Sequence, residues 1–307
     1  MNGKRRVRRL IPPVANRTLK RAVVRAVTSS AGKVAARRMV SRAVVLCYHS
    51  VHPRLPIASA DPELFRRHLE WLSENCEVGT IEDVFEAANR RASERPRRPV
   101  VAITFDDGYE DNFTYAYPKL AEARMTATFF ITAGLINRDP VVVSRMANLR
   151  GVAEAVLRPM SWDNVRELAA EDFTVGSHTY AHPNLARLGP GAALAEIERG
   201  KAIVEGQLEQ PVRVFAYPFG RPGRHFTQET VELVRRSGHD LATAVLYRGV
   251  RASDQRFSIP RFFVDDDDID RLKAKVQGYW DPFGLWQQHR TSGMVSSYFD
   301  SSGRDYR

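Results

Sequence analysis

The sequence predicts an α/β barrel, on three observations. Short apolar segments rich in β-branched residues alternate with amphipathic helical segments along most of the chain, as in parallel strands joined by crossover helices. About seven such units fit into about 240 residues, which favours a closed barrel over an open sheet. The length of 307 residues suits one large domain of this kind. We therefore expect a distorted barrel of about seven or eight strand–helix units.

The elements follow from local signals taken in chain order. The apolar run 43–48 is the first strand, Asp61-Pro62 begins the first helix, and Thr80 precedes the second. Residues 133–160 have no clean period and are expected to form a long loop. The predicted strands are 43–48, 100–105, 127–132, 173–176, 212–216, 240–245 and 256–264, and the predicted helices are 62–75, 81–91, 110–124, 162–170, 190–209, 227–237 and 267–280.

The net charge of +10 is unevenly distributed. Residues 1–42 hold thirteen of the 46 lysines and arginines and no acidic residue, so the remainder carries 33 basic against 36 acidic residues, a net of −3. A mildly acidic body with a basic leader is not typical of a nucleic-acid-binding protein, and we expect no nucleic-acid partner. Recruitment to nucleic acid by the leader alone remains an alternative.

The leader lacks the apolar segment of a secretory signal peptide. The sequence also contains no run of 18 apolar residues, so we expect no transmembrane helix. Residues 17–41 have an amphipathic pattern suited to an anionic membrane surface, with a solvated arm or an organellar transit peptide as alternatives. The expected organisation is a leader at 1–42, a catalytic barrel at 43–280 and a polar tail at 281–307. We expect a location in the cytoplasm or on the cytoplasmic face of the membrane.

Polar residues at the ends of two predicted strands carry the chemistry. Asp106 and Asp107 directly follow one buried strand, while His178 follows another and His182 comes four residues later. Adjacent carboxylates at such a position are costly unless they bind a cation or share a proton. One carboxylate and two imidazoles make a divalent-metal site with open positions, and the second carboxylate is a candidate general base. Taken singly, the Asp-Asp pair could be a helix cap or solvated loop, and the histidines could be structural.

Three segments together resemble the polysaccharide deacetylases, which are carbohydrate esterase family 4 with the NodB homology domain. They are 104–108 (TFDDG), 177–185 (SHTYAHPNL) and 215–220 (FAYPFG), in the order and spacing of that family. The resemblance covers about residues 43–265. It implies a distorted barrel of the NodB type that removes acetyl groups from an N-acetylated glycan or glycoconjugate with a divalent metal. Zinc is the expected ion, with cobalt, nickel or iron(II) as alternatives.

The resemblance also implies residue roles. Asp106 would be the general base, and Asp107, His178 and His182 would hold the metal. The third segment would form the oxyanion and substrate-binding side of the site, through the backbone N–H near Phe219 and the neighbouring residues Tyr217 and Pro218.

Two departures from the family pattern affect the expected site. Ala216 stands where many members have an arginine that orients the base, and we expect Arg261 to supply that charge instead. The C-terminal Leu-x-His motif that carries the acid histidine in many members is absent from the sequence. The segment 48–51 (YHSV) resembles the poly-N-acetylglucosamine deacetylase subgroup, which makes His49 the candidate acid. A structural histidine and a structural ion pair are the respective alternatives.

Two other functions remain open at this point. A related amide hydrolase, such as a deformylase acting on a lipid-linked sugar, would share the whole metal site. A glycan-binding module without activity would have no need of Asp106, Asp107, His178 and His182 together.

Overall fold

The fold is a closed parallel barrel. The computed structural model describes residues 42–284, apart from residues 55, 56, 58, 92, 93, 95, 265, 266 and 283. Its strands are β1 (Ala43–Tyr48), β2 (Glu77–Gly79), β3 (Val100–Phe105), β4 (Thr128–Ile131), β5 (Thr174–Ser177), β6 (Val214–Ala216), β7 (Leu241–Val245) and β8 (Ile259–Phe263). Strand β1 pairs with both β3 and β8, which closes a ring of every strand except β2. The predicted barrel is confirmed.

Helices cover the outside of the barrel. They are α1 (Pro62–Asn75), α2 (Ile81–Asn89), α3 (Tyr117–Glu122), α4 (Ala133–Ile136), α5 (Pro140–Arg150), α6 (Trp162–Ala170), α7 (Pro190–Leu208), α8 (Gln228–Arg236) and α9 (Ile269–Val276). Side-chain caps begin several of them: the Asp61 carboxylate accepts two N–H groups of α1, and Thr80 and Asp83 form a reciprocal capping box at α2. These are the polar signals that made both helices predictable.

The expectation of a structureless loop over 133–160 was wrong. This connection contains α4 and α5, and α5 is a helix of 11 residues. Its run Val141–Val143 hid the helical period, because β-branched residues favour strands. The end signals were nevertheless present, since Asp139 caps α5 ahead of Pro140 and Gly151 ends it with a left-handed φ of 67°.

Two smaller differences concern the surroundings of β3. The predicted helix 110–124 begins as a π-helical turn, Asn112–Ala116, before it continues as α3. Strand β2 was not predicted because it has only three residues. It pairs with the first half of β3, whereas β4 pairs with the second half from Thr104 onward.

The pleat of β3 decides which side chains reach the barrel interior. Val101, Ile103 and Phe105 pack in one apolar cluster with the helices, while Ala102 belongs to a second cluster on the opposite face of the strand. Successive side chains of a strand point to opposite faces. Asp106 continues the inward series of Ala102 and Thr104 at the carboxyl end of the strand, where barrel enzymes place their active sites.

The ends of the chain lie largely outside the described residues. The predicted leader 1–42 does so except for Arg42, so its membrane role stays a prediction. Among the described residues, no helix has both the length and the hydropathy needed to cross a bilayer. At the other end, Asp281 is buried and its carboxylate accepts the N–H of Gly249, so the packed body includes this residue of the predicted tail.

Gly200 allows α7 to pack directly against the chain between the two site histidines. A Cβ atom there would lie 2.5 Å from the carbonyl carbon of Thr179 and 2.8 Å from its oxygen. We expect Gly200→Ala to lower the free energy of unfolding by about 1–3 kcal/mol through overpacking. Urea unfolding followed by circular dichroism measures this change.

The matched control is Gly206→Ala, because a Cβ at this exposed position of the same helix meets nothing within 4 Å. It should raise stability by about 0.5–1 kcal/mol, the usual gain of alanine over glycine in a helix. Equal stabilities for the two variants would contradict the close packing of α7 on Thr179.

Candidate metal centre and active site

Asp106, at the end of β3, is held by an arginine of β8, which is separated from β3 around the barrel by β1 alone. It is 3% exposed, and Arg261 of β8 donates from Nη1 to Oδ1 at 2.7 Å and from Nη2 to Oδ2 at 2.9 Å. The thiol of Cys47 donates to Oδ2 at 3.4 Å. Burial raises the pKa of Asp106, but Arg261 and His178 lower it further, to about 2. The carboxylate is therefore an oriented anion at neutral pH.

Asp107 is paired with a second arginine through only one of its oxygens. Arg150, the last residue of α5, donates to Asp107 Oδ2 and also to the hydroxyl of Tyr109. Oδ1 is buried and has no hydrogen-bond partner among the described residues. It faces His178 Nε2 at 3.7 Å and His182 Nε2 at 3.5 Å. Burial raises the pKa of Asp107, but Arg150 and the nearby histidines hold it well below its ordinary value.

Both histidines direct Nε2 towards this carboxylate. His178 Nδ1 lies 2.7 Å from the carbonyl oxygen of Ala216, which can only accept, so Nδ1 carries a proton and the ring orientation is fixed. Burial, together with His178 and Arg150, lowers the pKa of His182 to about 3. Neutral imidazole is the form that binds metals.

The loop between the histidines has an unusual backbone. Thr179 has a φ of 66° and His182 a φ of 53°, and Asp107 and Phe219 beside them have φ values of 77° and 61°. Non-glycine residues in this region cost about 1–3 kcal/mol each and concentrate at functional sites. The Thr179 hydroxyl accepts the N–H of His182 at 3.0 Å, which keeps the loop closed.

The arrangement fits a divalent cation. One ligand atom each from Asp107, His178 and His182 lie within 4.8 Å of one another. An anionic oxygen with no hydrogen-bond donor among the described residues, facing the Nε2 atoms of two imidazoles, is the donor set that zinc and similar ions bind, with positions left for water or substrate. A second group, Cys47, His49 and Asp106, is similarly close. It fits a cation poorly, because Arg261 already occupies both oxygens of Asp106.

His49 joins the site from the end of β1. One of its ring nitrogens lies within 4.8 Å of a carboxylate oxygen of Asp106, and its ring centroid lies 5.2 Å from that of Phe263. The side chain is half-buried. The structure therefore brings the predicted acid and the predicted base to the same mouth of the barrel.

The third predicted segment reaches the site only in part. The ring centroid of Phe219 lies 4.8 Å from that of His182, and Pro218 is buried just before it. The expectation that Tyr217 lines the substrate side was wrong for its side chain. Its ring stacks on Phe226 at 3.8 Å, and its hydroxyl donates to the carbonyl oxygen of Phe257 at 3.1 Å. Tyr217 directs its ring into this apolar cluster and away from the histidines.

Sequence reasoning missed Arg150 and the contact of Cys47 with Asp106. Arg150 lies on α5, the helix whose valine run concealed it, far along the chain from Asp107. Cys47 was visible on its strand, but an apolar strand residue gives no sign of which side chain it will meet. Arg261 was anticipated because Ala216 left the base without its usual partner, and the structure places Arg261 on Asp106.

The chain is similar in sequence to known polysaccharide deacetylases. The family model described as polysaccharide deacetylase matches residues 93–242. The Bacillus subtilis protein YxkH is 25% identical over 197 residues, which span 64% of this chain and 62% of YxkH. A poly-beta-1,6-N-acetyl-D-glucosamine N-deacetylase of Staphylococcus aureus is 21% identical over 225 residues, covering 72% of this chain and 73% of that protein.

Solved structures share the fold. IcaB from Ammonifex degensii superposes with a TM-score of 0.61 at 26% identity, covering 76% of this chain and 97% of IcaB. The Streptococcus pyogenes deacetylase PplD, solved in complex with acetate, gives a TM-score of 0.63 at 22% identity with the same coverage. The chain is thus similar in sequence and in fold to the polysaccharide deacetylases.

Arg150 and a bound cation should compensate for the same buried charge. Replacing Arg150 with methionine leaves Asp107 without its cationic partner, so we expect the metal-free protein to lose about 3 kcal/mol of stability. A divalent cation then supplies the missing positive charge. The drop in melting temperature caused by a chelator should therefore be larger for Arg150→Met than for the wild type, as measured by calorimetry of both proteins with and without zinc.

Arg138→Met is the control, at an exposed position of the same connection. Its chelator response should match that of the wild type. An Arg150→Met protein with the wild-type response would show that Arg150 and the metal act independently.

Proposed function

We propose that this protein is a metal-dependent hydrolase that removes N-acetyl groups from an N-acetylated polysaccharide or glycoconjugate. One observation carries the proposal. An arginine-held carboxylate, Asp106, lies beside a second group, Asp107, His178 and His182, that can take a divalent cation. A hydrolytic centre for an amide needs these parts, namely a base and a Lewis acid next to each other.

Asp107, His178 and His182 would hold the ion through Oδ1 and the two Nε2 atoms. Zinc is the first candidate, because three nitrogen and oxygen ligands with an open position are typical of catalytic zinc. When bound, the ion would supply polarisation of the acetamide carbonyl and acidification of water.

The proposed roles of the other residues follow from their contacts. Asp106 takes a proton from the attacking water, while Arg261 fixes the direction of its carboxylate. The backbone N–H of Phe219 would stabilise the developing oxyanion, a role that rests on the resemblance of its segment to the family motif. Protonated His49 donates a proton to the amine as the C–N bond breaks, because an unprotonated amine anion is a very poor leaving group. After the products leave, Asp106 releases the proton it took from water and His49 takes one up from solvent.

The substrate class is proposed from the relatives of the chain. The similarity to the staphylococcal poly-beta-1,6-N-acetyl-D-glucosamine N-deacetylase supports a polymer of N-acetylglucosamine. A formyl group on a lipid-linked sugar is the competing substrate, and parallel assays of acetate and formate release separate the two.

Substitution of the proposed base and substitution of a proposed metal ligand should differ in their effect on metal content, although both lower turnover. Asp106→Asn should keep the metal and lose turnover by about 10²- to 10⁴-fold, the contribution of a general base. Asp107→Ala and His178→Ala should lose both. Acetate release from β-1,6-linked N-acetylglucosamine oligomers and metal content by mass spectrometry give the two readouts. Retained activity in all three variants would contradict the assigned site, and a metal-loaded wild type without hydrolase activity would favour a glycan-binding module.

The pH profile should report the Arg261–Asp106 pair. The base works only when ionised, and with Arg261 present the pKa of Asp106 is about 2. In Arg261→Met, burial acts without that opposing charge, so the pKa rises and the acid limb of kcat/KM moves to higher pH. Arg261→Lys keeps the charge and should move the limb less.

Arg256→Met serves as the control, because this exposed arginine just before β8 pairs with Glu82. Its acid limb should coincide with that of the wild type. If the limb of Arg261→Met also coincides with it, Asp106 is not the base that the limb reports.

A further inference from the structure

The backbone that carries His49 is pinned by the residues that follow the aspartate pair. Asn112 Nδ2 donates to the carbonyl oxygen of His49 at 2.7 Å. The two oxygens of Asp111 accept from the Ser50 hydroxyl at 2.5 Å and from the N–H of Val51 at 3.1 Å. Three consecutive residues of the His49 loop are thus bonded to two consecutive side chains.

These bonds are shielded from water. Asp111 is 5% exposed, and Ser50 and Asn112 are fully buried. The other side of the loop is also fixed, since the hydroxyl of the buried Ser59 accepts the N–H of His49 at 3.0 Å. Asp111 accepts two of the three hydrogen bonds that join this segment to the His49 loop, so it contributes most of the clamp.

Asn112 is an energetically unfavourable residue at its buried position. Its Oδ1 is buried with no hydrogen-bond partner among the described residues, which is unfavourable for a polar atom. An apolar residue would avoid that cost but could not donate to His49. Asn112 also opens the π-helical turn, a feature that frequently marks functional sites.

We propose that Asp111 and Asn112 are positioning residues that hold His49 where it can donate a proton to the leaving amine. This inference rests on the proposed function and on the proposed role of His49. It places the proposed base and the clamp on the proposed acid in one short segment, residues 106–112. A proton donor must lie within hydrogen-bond reach of the leaving group, and loss of that placement lowers the rate of the step.

The test separates proton donation from every other use of the site. An N-acetyl sugar needs a proton on its leaving amine, whereas 4-nitrophenyl acetate releases a stable anion that needs none. We expect Asn112→Ala and Asp111→Asn to lower kcat for acetate release from N-acetylglucosamine oligomers at least about tenfold, a fraction of what a general acid contributes. The metal content and the hydrolysis of 4-nitrophenyl acetate should stay near wild type, and His49→Ala should show the same split more strongly.

Two further variants keep the test decisive. Ser50→Ala removes one bond of the clamp and should give a weaker split in a protein that folds. Thr114→Ala, an exposed position in the same π-helical turn, should leave both activities unchanged. A second measurement on the N-acetyl substrate is the alkaline decline of kcat/KM, which reports the donor and should weaken in His49→Ala and Asn112→Ala alike.

Each outcome has one meaning. Parallel losses on the amide and the ester in Asn112→Ala, or an unchanged alkaline decline, would overturn the positioning role. If His49→Ala itself shows no split, His49 is not the donor and this inference is wrong, while acetate release by the wild type keeps the proposed function. If the wild type releases no acetate from N-acetyl sugars, the proposed function fails instead.

Discussion

Two adjacent buried carboxylates, Asp106 and Asp107, are the constraint on which this site depends. Neither could be buried as an anion without a partner, because the desolvation cost of an isolated charge is large. Each carboxylate is paired with an arginine from a distant part of the chain. Arg261 engages both oxygens of Asp106, whereas Arg150 engages only one oxygen of Asp107. This asymmetry leaves Asp107 Oδ1 without a hydrogen-bond partner among the described residues, as the proposed cation site requires, and it fixes the direction of the Asp106 carboxylate, the proposed base.

The orientation of the two histidines depends on a hydrogen bond, on an unusual backbone conformation and on close packing. The carbonyl oxygen of Ala216 fixes the tautomer of His178, and a left-handed backbone at Thr179 and His182 turns both rings toward Asp107. Helix α7 supports this loop at Gly200, where no side chain would fit. Backbone strain at the site is thus held by packing from outside the barrel.

The fold and the centre of the site could be predicted because their signals are local. Asp106-Asp107 and His178 each follow a predicted strand. Because parallel strands have their carboxyl ends at the same end of a barrel, the sequence predicts that these residues lie close together there. Arg261 could be predicted because Ala216 replaces the arginine that pairs with the base in many relatives, so the charge of Asp106 needed another partner. The clamp of Asp111 and Asn112 on the His49 loop was not predictable, since it joins two loops that meet only in the folded barrel.

Other features could not be predicted for related physical reasons. Arg150 lies on α5, whose run of valines has no helical period in the sequence. The residues that cap this helix, Asp139 and Gly151, could nevertheless be recognised. Tyr217 was placed on the wrong side because a motif gives residue order, whereas the end of β6 decides which side chain faces the site.

The central claim is that Asp107, His178 and His182 together hold one divalent cation beside a base that stays metal-free. A crystal structure of the zinc-loaded protein, with anomalous data collected on both sides of the zinc edge, tests it directly. We expect one anomalous peak within about 2.0–2.2 Å of Asp107 Oδ1 and the two Nε2 atoms, with Arg261 still on Asp106. A peak between Cys47, His49 and Asp106, or none at the three proposed ligands, would contradict the account.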